Sequence, residues 1–383
     1  MIINYGKQYI DKDDIKEVIK TLKSDYLTQG PKVKEFEDKL KKYFGSKYCS
    51  VVSNGTAALH LAVLSLNLKK NDIVLTSPIS FLASANSILY SGATPGFIDI
   101  DKNSYTIDPN FAEDKLKKYN KFKKKIYAII GVDYAGHPCD WKSLKFLANK
   151  YDLKLINDNC HALGAKYKGN RQYAIKYADI VTHSYHPVKH ITTGEGGSIF
   201  TNDKTIYNKI LSLKNHGIVL KKQPKPWFYS MENLGFNYRL SDIQCALGIS
   251  QLKKLNYFIS ERRKIAKEYD NFFKKKSDII IPKVKPYSFH SYHLYPLRIN
   301  FSKFKINKID FFKKMYKNDI KLQVHYIPIH LQKYYKKILN RQKLKLGNAI
   351  NFYEDECSLP IFPGLTKTNI NKIKKNINMI LYG

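Results

Sequence analysis

Acidic residues are scarce in this chain. Only 32 Asp and Glu stand against 66 Lys and Arg in 383 residues, a formal charge of +34. Such an excess can mark a nucleic-acid binder, which gathers its basic residues in patches. Here they run along the whole chain and travel with many Asn, Ile and Tyr. They read as solvated helix faces, so no nucleic-acid partner is expected, although a diffuse positive field favours a phosphate-bearing substrate. Cysteine is also sparse. Cys49, Cys139, Cys160, Cys245 and Cys357 are odd in number and widely spaced, with no C-x-x-C. That speaks against a disulfide framework or a zinc knuckle, so no metal site is expected, and it favours a reducing compartment. No apolar run is long enough to span a bilayer, so no membrane partner is expected. The opening "MIINYGKQYIDKDDIKEV" lacks the basic-then-apolar order of a signal peptide. The expected setting is the cytoplasm. Internal repeats, low-complexity linkers, a Walker A loop and a G-x-G-x-x-G fingerprint are all missing.

What is present suits a globular chain. Hydrophobic residues make up 43 % and aromatics 13 %, and the length accommodates one large domain plus a smaller one. Residues 12 to 44 read as helical, with Ile15, Val18, Ile19 and Leu22 at helical spacing and a break at Gly30-Pro31. Short, β-branched, nearly continuous apolar runs then alternate with helical segments. "NDIVLTSP", "ATPGFIDID", "KIYAIIGVDYAG", "LKLINDNCHALGA", "ADIVTHSYHPV" and "GSIFTND" are the runs. Strands buried on both faces look like this, and repeated β-α alternation implies a mostly parallel sheet with helices on both faces. The expected class is therefore α/β. From about residue 241 the pattern changes to one long helix or a bent pair, capped by Ser241. A short extended stretch, a helix near 307 to 319, a strand-like "LQVHYIPI" and helices near 345 to 357 and 367 to 381 follow. The expected division is a large domain over 1–245 and a smaller α+β domain over 246–383.

Ligands of open α/β sheets sit outside the carboxyl ends of the strands, and four segments put polar residues there. "SNGTAALHLAVLSL" opens a helix on a glycine turn through Thr56 and Ala57, which suits a phosphate. Alone it reads equally well as an ordinary helix start. "INDNCHALGA" ends an apolar strand on Asp158, with His161 three residues on; a carboxylate there holds a ligand nitrogen in its charged form. "SYHPVKHITTGEGG" follows a strand end at Ser184 with Lys189, and a lysine beside a buried sheet end loses its proton more readily and becomes nucleophilic. "LGFNYRLSDIQCALG" places Asn237 and Arg239 before the long helix. A phosphate cradle, a carboxylate for a pyridinium nitrogen and an imine-forming lysine together fit pyridoxal 5′-phosphate, PLP.

"SNGTAALHLA", "DNCHALGA", "SYHPVKHITTGEGG" and "GFNYRLSDIQCALG" resemble, in order and spacing, the DegT/DnrJ/EryC1/StrS nucleotide-sugar aminotransferases. The resemblance covers essentially the whole chain. It implies a fold-type I PLP-dependent transferase of the aspartate aminotransferase-like kind and a homodimer with shared active sites. It implies that Lys189 carries the cofactor and acts as the catalytic base, that Asp158 pairs with the pyridine nitrogen, and that His161 reaches the ring hydroxyl. Phe81 would stack on the ring. Thr56, Ala57 and Ser184 would bind the phosphate, and Asn237 the phosphate of the neighbouring subunit. His190 departs from the family's proline, which frees a backbone N–H and loosens φ. "VDYAGHP", "LKNHGIV" and "LQVHYIPIH" are similar to the pseudaminic acid biosynthesis branch. That branch aminates C4 of a UDP-linked 4-keto-6-deoxy-N-acetylhexosamine, with L-glutamate as donor. Tyr5, Arg239, His325, Tyr326 and His330 are the expected sugar-side residues. The alternatives are another keto-sugar (perosamine, bacillosamine or 3-aminosugar type) or a non-catalytic binding protein on the same fold. A dehydratase branch carries histidine in place of the lysine; the presence of Lys189 argues for transamination.

Overall fold

β1 (Tyr48–Val52), β2 (Ile73–Thr76), β3 (Thr94–Phe97), β4 (Ile126–Val132), β5 (Lys154–Asp158), β6 (Ile180–Ser184) and β7 (Gly197–Thr201) form one seven-stranded sheet in the order β1-β7-β6-β5-β4-β2-β3. The computed structural model describes residues 2–122, 125–219, 225, 227–339 and 344–383. β2 pairs in parallel with β3 and β4, β4 with β5, and β5 with β6. β7 alone runs against its neighbours, β6 and β1.

The continuous apolar runs are explained by where alternate side chains go. In β5, Leu155 joins a cluster with Phe36 and Leu40 of α2 (Pro31–Phe44) and with Trp141 and Leu144 of α6 (Trp141–Lys150). Its neighbour Ile156 joins another, with Ala58 and Leu61 of α3 (Gly55–Leu64) and Ile206 and Ile210 of α7 (Lys204–Lys214). α4 (Ala83–Tyr90) adds Ala83 and Ile88 to the second cluster, and α5 (Pro109–Lys121) adds Ala112 and Leu116 to the first. Period-two side chains feeding helices on both faces give the expected α/β architecture.

The stretch from Ser241 is a bent pair, Asp242–Lys253 and Leu255–Phe273, and Ser241 Oγ accepts the Gln244 N–H as its cap. Apolar side chains of this pair from Ile249 to Ile259 pack with the central sheet, and from Ile265 onward they join a second core. That core surrounds the antiparallel strands Ile279–Ile280, Tyr295–Ile299 and Glu356–Leu359. Helices Lys308–Lys317 and Lys367–Tyr382 complete it. The chain's start belongs here too, because Ile3 bridges to Ile320.

Three expectations need correction. "LQVHYIPI" is not a strand: it makes one bridge, Gln323 to Ser358, and passes into a short 3₁₀ turn at Ile329–Leu331. β1 leaves no separate signal in the sequence, because only three residues separate its five from the charged end of α2. The apolar spacing in α1 (Lys12–Leu22) marks a helix but not a covered face. Ile15, Ile19 and Leu22 are exposed, while Asp14 and Thr21 are buried. Asp14 turns inward because Lys254 Nζ and the Gln251 amide each meet its carboxylate at 2.7 Å. Among the described residues no helix is long and apolar enough to cross a membrane.

Candidate active site

Register aligns the ends of the strands. Val132 pairs with Asp158, Asp158 with Thr182, and Ser184 and Val52 both lie opposite Gly197. At this edge opens a cavity of about 1250 Å³, into which Val132, Asp158, Ser184 and Lys189 all face. It is the position that open α/β sheets reserve for ligands.

α3 starts at the cavity wall. Asn54 is its cap, with Oδ1 accepting the Ala57 N–H at 2.8 Å. That bond occupies the Ala57 donor. Gly55, Thr56, Ala57 and Ser184 all line the cavity at this helix start. Gly55 is needed for this approach: a Cβ there would lie 2.7 Å from Ser184 Cβ and 3.0 Å from its Oγ. A helix N-terminus with two hydroxyls beside it is an anion cradle.

Lys189 stands on the turn after β6. Its N–H donates to the His186 carbonyl at 2.9 Å. The buried Arg262 reaches the carbonyls of Val188 at 3.2 Å and Lys189 at 3.4 Å, and also those of His293 and Ile361. The lysine's main chain is thereby pinned to the helix Leu255–Phe273. Burial, helped by the charge of Arg262, lowers the amine to about 8, against the opposing pull of Cys160 and Asp158. A substantial fraction of Lys189 is therefore neutral near pH 8, as a nucleophile must be. His190 bonds through Nε2 to the Ser291 carbonyl at 3.1 Å, so its ring anchors the loop that a residue other than proline is expected to loosen here.

Asp158 is nearly buried. Its Oδ2 accepts the Ser84 hydroxyl at 2.6 Å and its Oδ1 the Cys160 N–H at 3.3 Å. Neither partner is a cation, so the negative charge is left to meet one in the cavity. His161 accepts the Ala135 N–H on Nδ1 at 3.4 Å, which leaves the ring proton on Nε2, 3.1 Å from the Tyr326 hydroxyl. Burial, then the charge of Lys189, holds this imidazole neutral, well below its ordinary range. Phe81 is exposed at the cavity mouth, its ring 6.1 Å from that of Tyr326.

Of the expected sugar-side residues, Tyr5, His325 and Tyr326 line the cavity. His330 packs against Phe97 outside it, with rings 6.2 Å apart. Asn237 and Arg239 also lie off the cavity: Asn237 bridges to Asn215, and Arg239 donates to Asn215 Oδ1 at 2.6 Å. "YHLYP", residues 292 to 296, also offers itself for the sugar side, and its His293 lines the cavity. His293 Nε2 is 3.4 Å from Lys189 Nζ, and its ring lies 4.3 Å from that of His161. Sequence reasoning missed Ser84, which supports Asp158. Nothing in "YHLYP" points to the lysine, and the serine faces inward on an apolar helix. Only the fold brings them to the lysine and the acid.

Residues 8–378 match the model of the DegT/DnrJ/EryC1/StrS aminotransferase family. A UDP-4-amino-4,6-dideoxy-N-acetyl-beta-L-altrosamine transaminase of Campylobacter jejuni is 41% identical over 380 residues, covering 99% of this chain and 98% of that protein. Among solved structures, Helicobacter pylori PseC, an aminotransferase of pseudaminic acid biosynthesis, superposes with a TM-score of 0.90 at 32% identity, over 100% of this chain and 99% of that one. A Streptococcus pneumoniae chain described as a sugar aminotransferase, in its PLP-form, superposes with a TM-score of 0.87 at 26% identity, over 99% and 98%. The chain therefore belongs to the DegT/DnrJ/EryC1/StrS aminotransferase family, and its cofactor is PLP. The residues present fit that group. An anion cradle closed to any Cβ at Gly55, an acid whose hydrogen-bond partners are both uncharged and a lysine amine of lowered basicity face one cavity.

Proposed function

We propose that this aminotransferase moves the amino group of L-glutamate to C4 of a UDP-linked 4-keto-6-deoxy-N-acetylhexosamine. The product would be UDP-4-amino-4,6-dideoxy-N-acetyl-beta-L-altrosamine, in pseudaminic acid biosynthesis. The observation that carries the chemistry is Lys189, an amine lowered to about 8 that lines the same cavity as the Asp158 carboxylate. The choice of sugar is supported by the match along nearly the whole length of both chains to the Campylobacter jejuni transaminase.

Bound PLP supplies an electron sink for the carbanion formed at the donor Cα. The chain's residues do the rest. Thr56 and Ser184 would hold the phosphate, Phe81 would cover the ring, and Asp158 would keep a proton on the ring nitrogen. His161 would donate from Nε2 toward the ring oxygen. The Lys189 amine would take the Cα proton of glutamate in the first half-reaction and deliver a proton to C4 of the sugar in the second. Tyr5, His325 and Tyr326 line the side left for the sugar.

A second copy of the chain completes this reading. Asn237 and Arg239 lie outside their own cavity, and Ile15, Ile19, Leu22, Tyr26 and Leu27 leave an exposed apolar stripe. Stripes of this kind mark interfaces. Light scattering is expected to give twice the 44.5 kDa chain mass; a monomer at micromolar concentration would refute the shared site. The five free cysteines suit a cytoplasmic enzyme.

The test of function is spectroscopic. The purified holoenzyme should show the long-wavelength band of lysine-bound PLP, and glutamate alone should convert it to the band of the pyridoxamine form. Adding the keto-sugar nucleotide should restore the first band and give an aminated sugar. A band indifferent to glutamate rules out that donor, and failure of the UDP-sugar alongside success with a perosamine-type or dTDP-linked keto-sugar moves the enzyme to another branch.

A further inference from the structure

A carboxyl group is buried beside the sugar side of the cavity without a cation of its own. Glu356, on the strand Glu356–Leu359, is 0% exposed. Arg298 stands opposite it in register, but that guanidinium is bound to Asp355 at 2.8 Å. Glu356 Oε2 instead accepts the backbone N–H of His325 at 3.0 Å. Its Oε1 is 2.5 Å from Ser358 Oγ, which is 2.9 Å from His325 Nδ1. The hydroxyl of Tyr134 donates to the His325 carbonyl. The backbone and ring of one cavity residue are thus both tied to one buried acid. Ser358 is fully buried between its two partners, so it relays a hydrogen bond and is not placed as a nucleophile.

A chain of this kind has a direction, because Ser358 has a single proton. When Glu356 is protonated, it donates to Ser358, Ser358 donates to His325 Nδ1, and the imidazole proton sits on Nε2. When Glu356 is ionised, the chain reverses, Nδ1 carries the proton, and Nε2 becomes an acceptor. We propose that Glu356 and Ser358 are positioning residues that hold His325 with its Nε2–H toward the cavity, as a donor to an oxygen of the keto-sugar nucleotide. This rests on the transfer reading above and deepens its sugar side.

The surroundings favour the protonated direction. Burial pushes Glu356 up to about 8, against the opposing pull of Ser358, Lys308 and the His325 N–H. Around Glu356 and His325 also stand Tyr105, Tyr134, Tyr326 and Tyr5, whose phenols burial pushes upward, and Cys357, whose thiol burial and then Glu356 push upward, so all five stay neutral. Burial keeps the neighbouring His161 ring neutral as well. Burial, then the charge of Lys189, keeps the His325 ring itself uncharged. The donor is therefore present below about pH 8 and lost above it.

The experiment compares the two half-reactions of the holoenzyme. In the wild type, kcat/KM for the keto-sugar should fall as pH rises through about 8. Glu356→Gln, whose amide donates to Ser358 at every pH, should keep the neutral-pH value and remove the fall. Glu356→Ala and Ser358→Ala should lower kcat/KM for the keto-sugar by roughly tenfold. The glutamate half-reaction, read by absorbance without sugar, should be unchanged in all three. A fall that persists in Glu356→Gln, or equal losses in both half-reactions, overturns the proposal. If the wild type fails to take an amino group from glutamate, the proposed function fails instead. The ring ¹⁵N shifts of His325 then still decide the tautomer: a proton on Nε2 at pH 7 is expected, and one on Nδ1 refutes it.

Discussion

Lys189→Ala is expected to lower turnover by about 10⁴-fold, the upper end of what a general base contributes, because the same side chain also holds the cofactor. The variant should still bind PLP through Thr56, Ser184 and Asp158, but without the band of the lysine-bound form. Its fold should survive. Lys189 is lowered in the folded protein relative to the unfolded chain, so ionisation of this amine opposes folding in full below about pH 8, and that cost fades as pH rises from about 8 toward the ordinary lysine value of 10.5. Removing the amine takes away that cost, so the apo-variant should melt no lower than apo-wild type at pH 7. The same position predicts how the apo-protein captures its cofactor. Only the neutral amine attacks the aldehyde, so the capture rate should climb about tenfold per pH unit below 8 and flatten above. Turnover near the wild-type rate in Lys189→Ala, or capture independent of pH, would remove Lys189 from its role.

The lysine could be singled out among so many because of what flanks it. A strand ending in Ser184 and a glycine turn opening β7 are local signals, and local signals survive in sequence. The same holds for Asp158 at the end of β5 and for the glycine start of α3. The parallel sheet was legible because strands buried on both faces write continuous apolar runs. Legibility failed where a segment's conformation is set by something far away. "LQVHYIPI" has strand-like residues, but His325 is fastened to Glu356 and Tyr134 and its neighbour Tyr326 to His161, so the segment bends along the cavity instead of pairing. His330 is sequence-adjacent to that wall and still faces Phe97. The stripe on α1 has the spacing of a buried face, yet within one chain Asp14 takes the inner position because Lys254 and Gln251 await it. Asn237 and Arg239 sit in the right motif but outside their own cavity, a placement that one chain's sequence cannot distinguish from a place inside it.

Asp158→Asn should leave the shape of the site and remove its charge. Asn is the same size, and its carbonyl oxygen can still accept the Ser84 hydroxyl that now meets Oδ2 at 2.6 Å. What it cannot do is hold a proton on the ring nitrogen. Pyridine nitrogens are weak bases, and an anion in a nearly buried setting is what keeps this one charged when the Cα proton leaves. The expected loss in kcat is roughly 10²- to 10³-fold, the size seen when one charge-stabilising group is taken from a water-excluded site. Both half-reactions should suffer alike, since each passes through a carbanion that needs the same sink. That separates Asp158 from Glu356, whose loss should touch the sugar half alone. Ser84→Ala should give a smaller, parallel loss, because it removes a hydrogen bond to the carboxylate and not the charge. A PLP analogue methylated at the ring nitrogen is positively charged without help from any acid. It should recover much of the rate in Asp158→Asn. If it recovers nothing while binding normally, Asp158 acts by placing the ring and not by holding its proton.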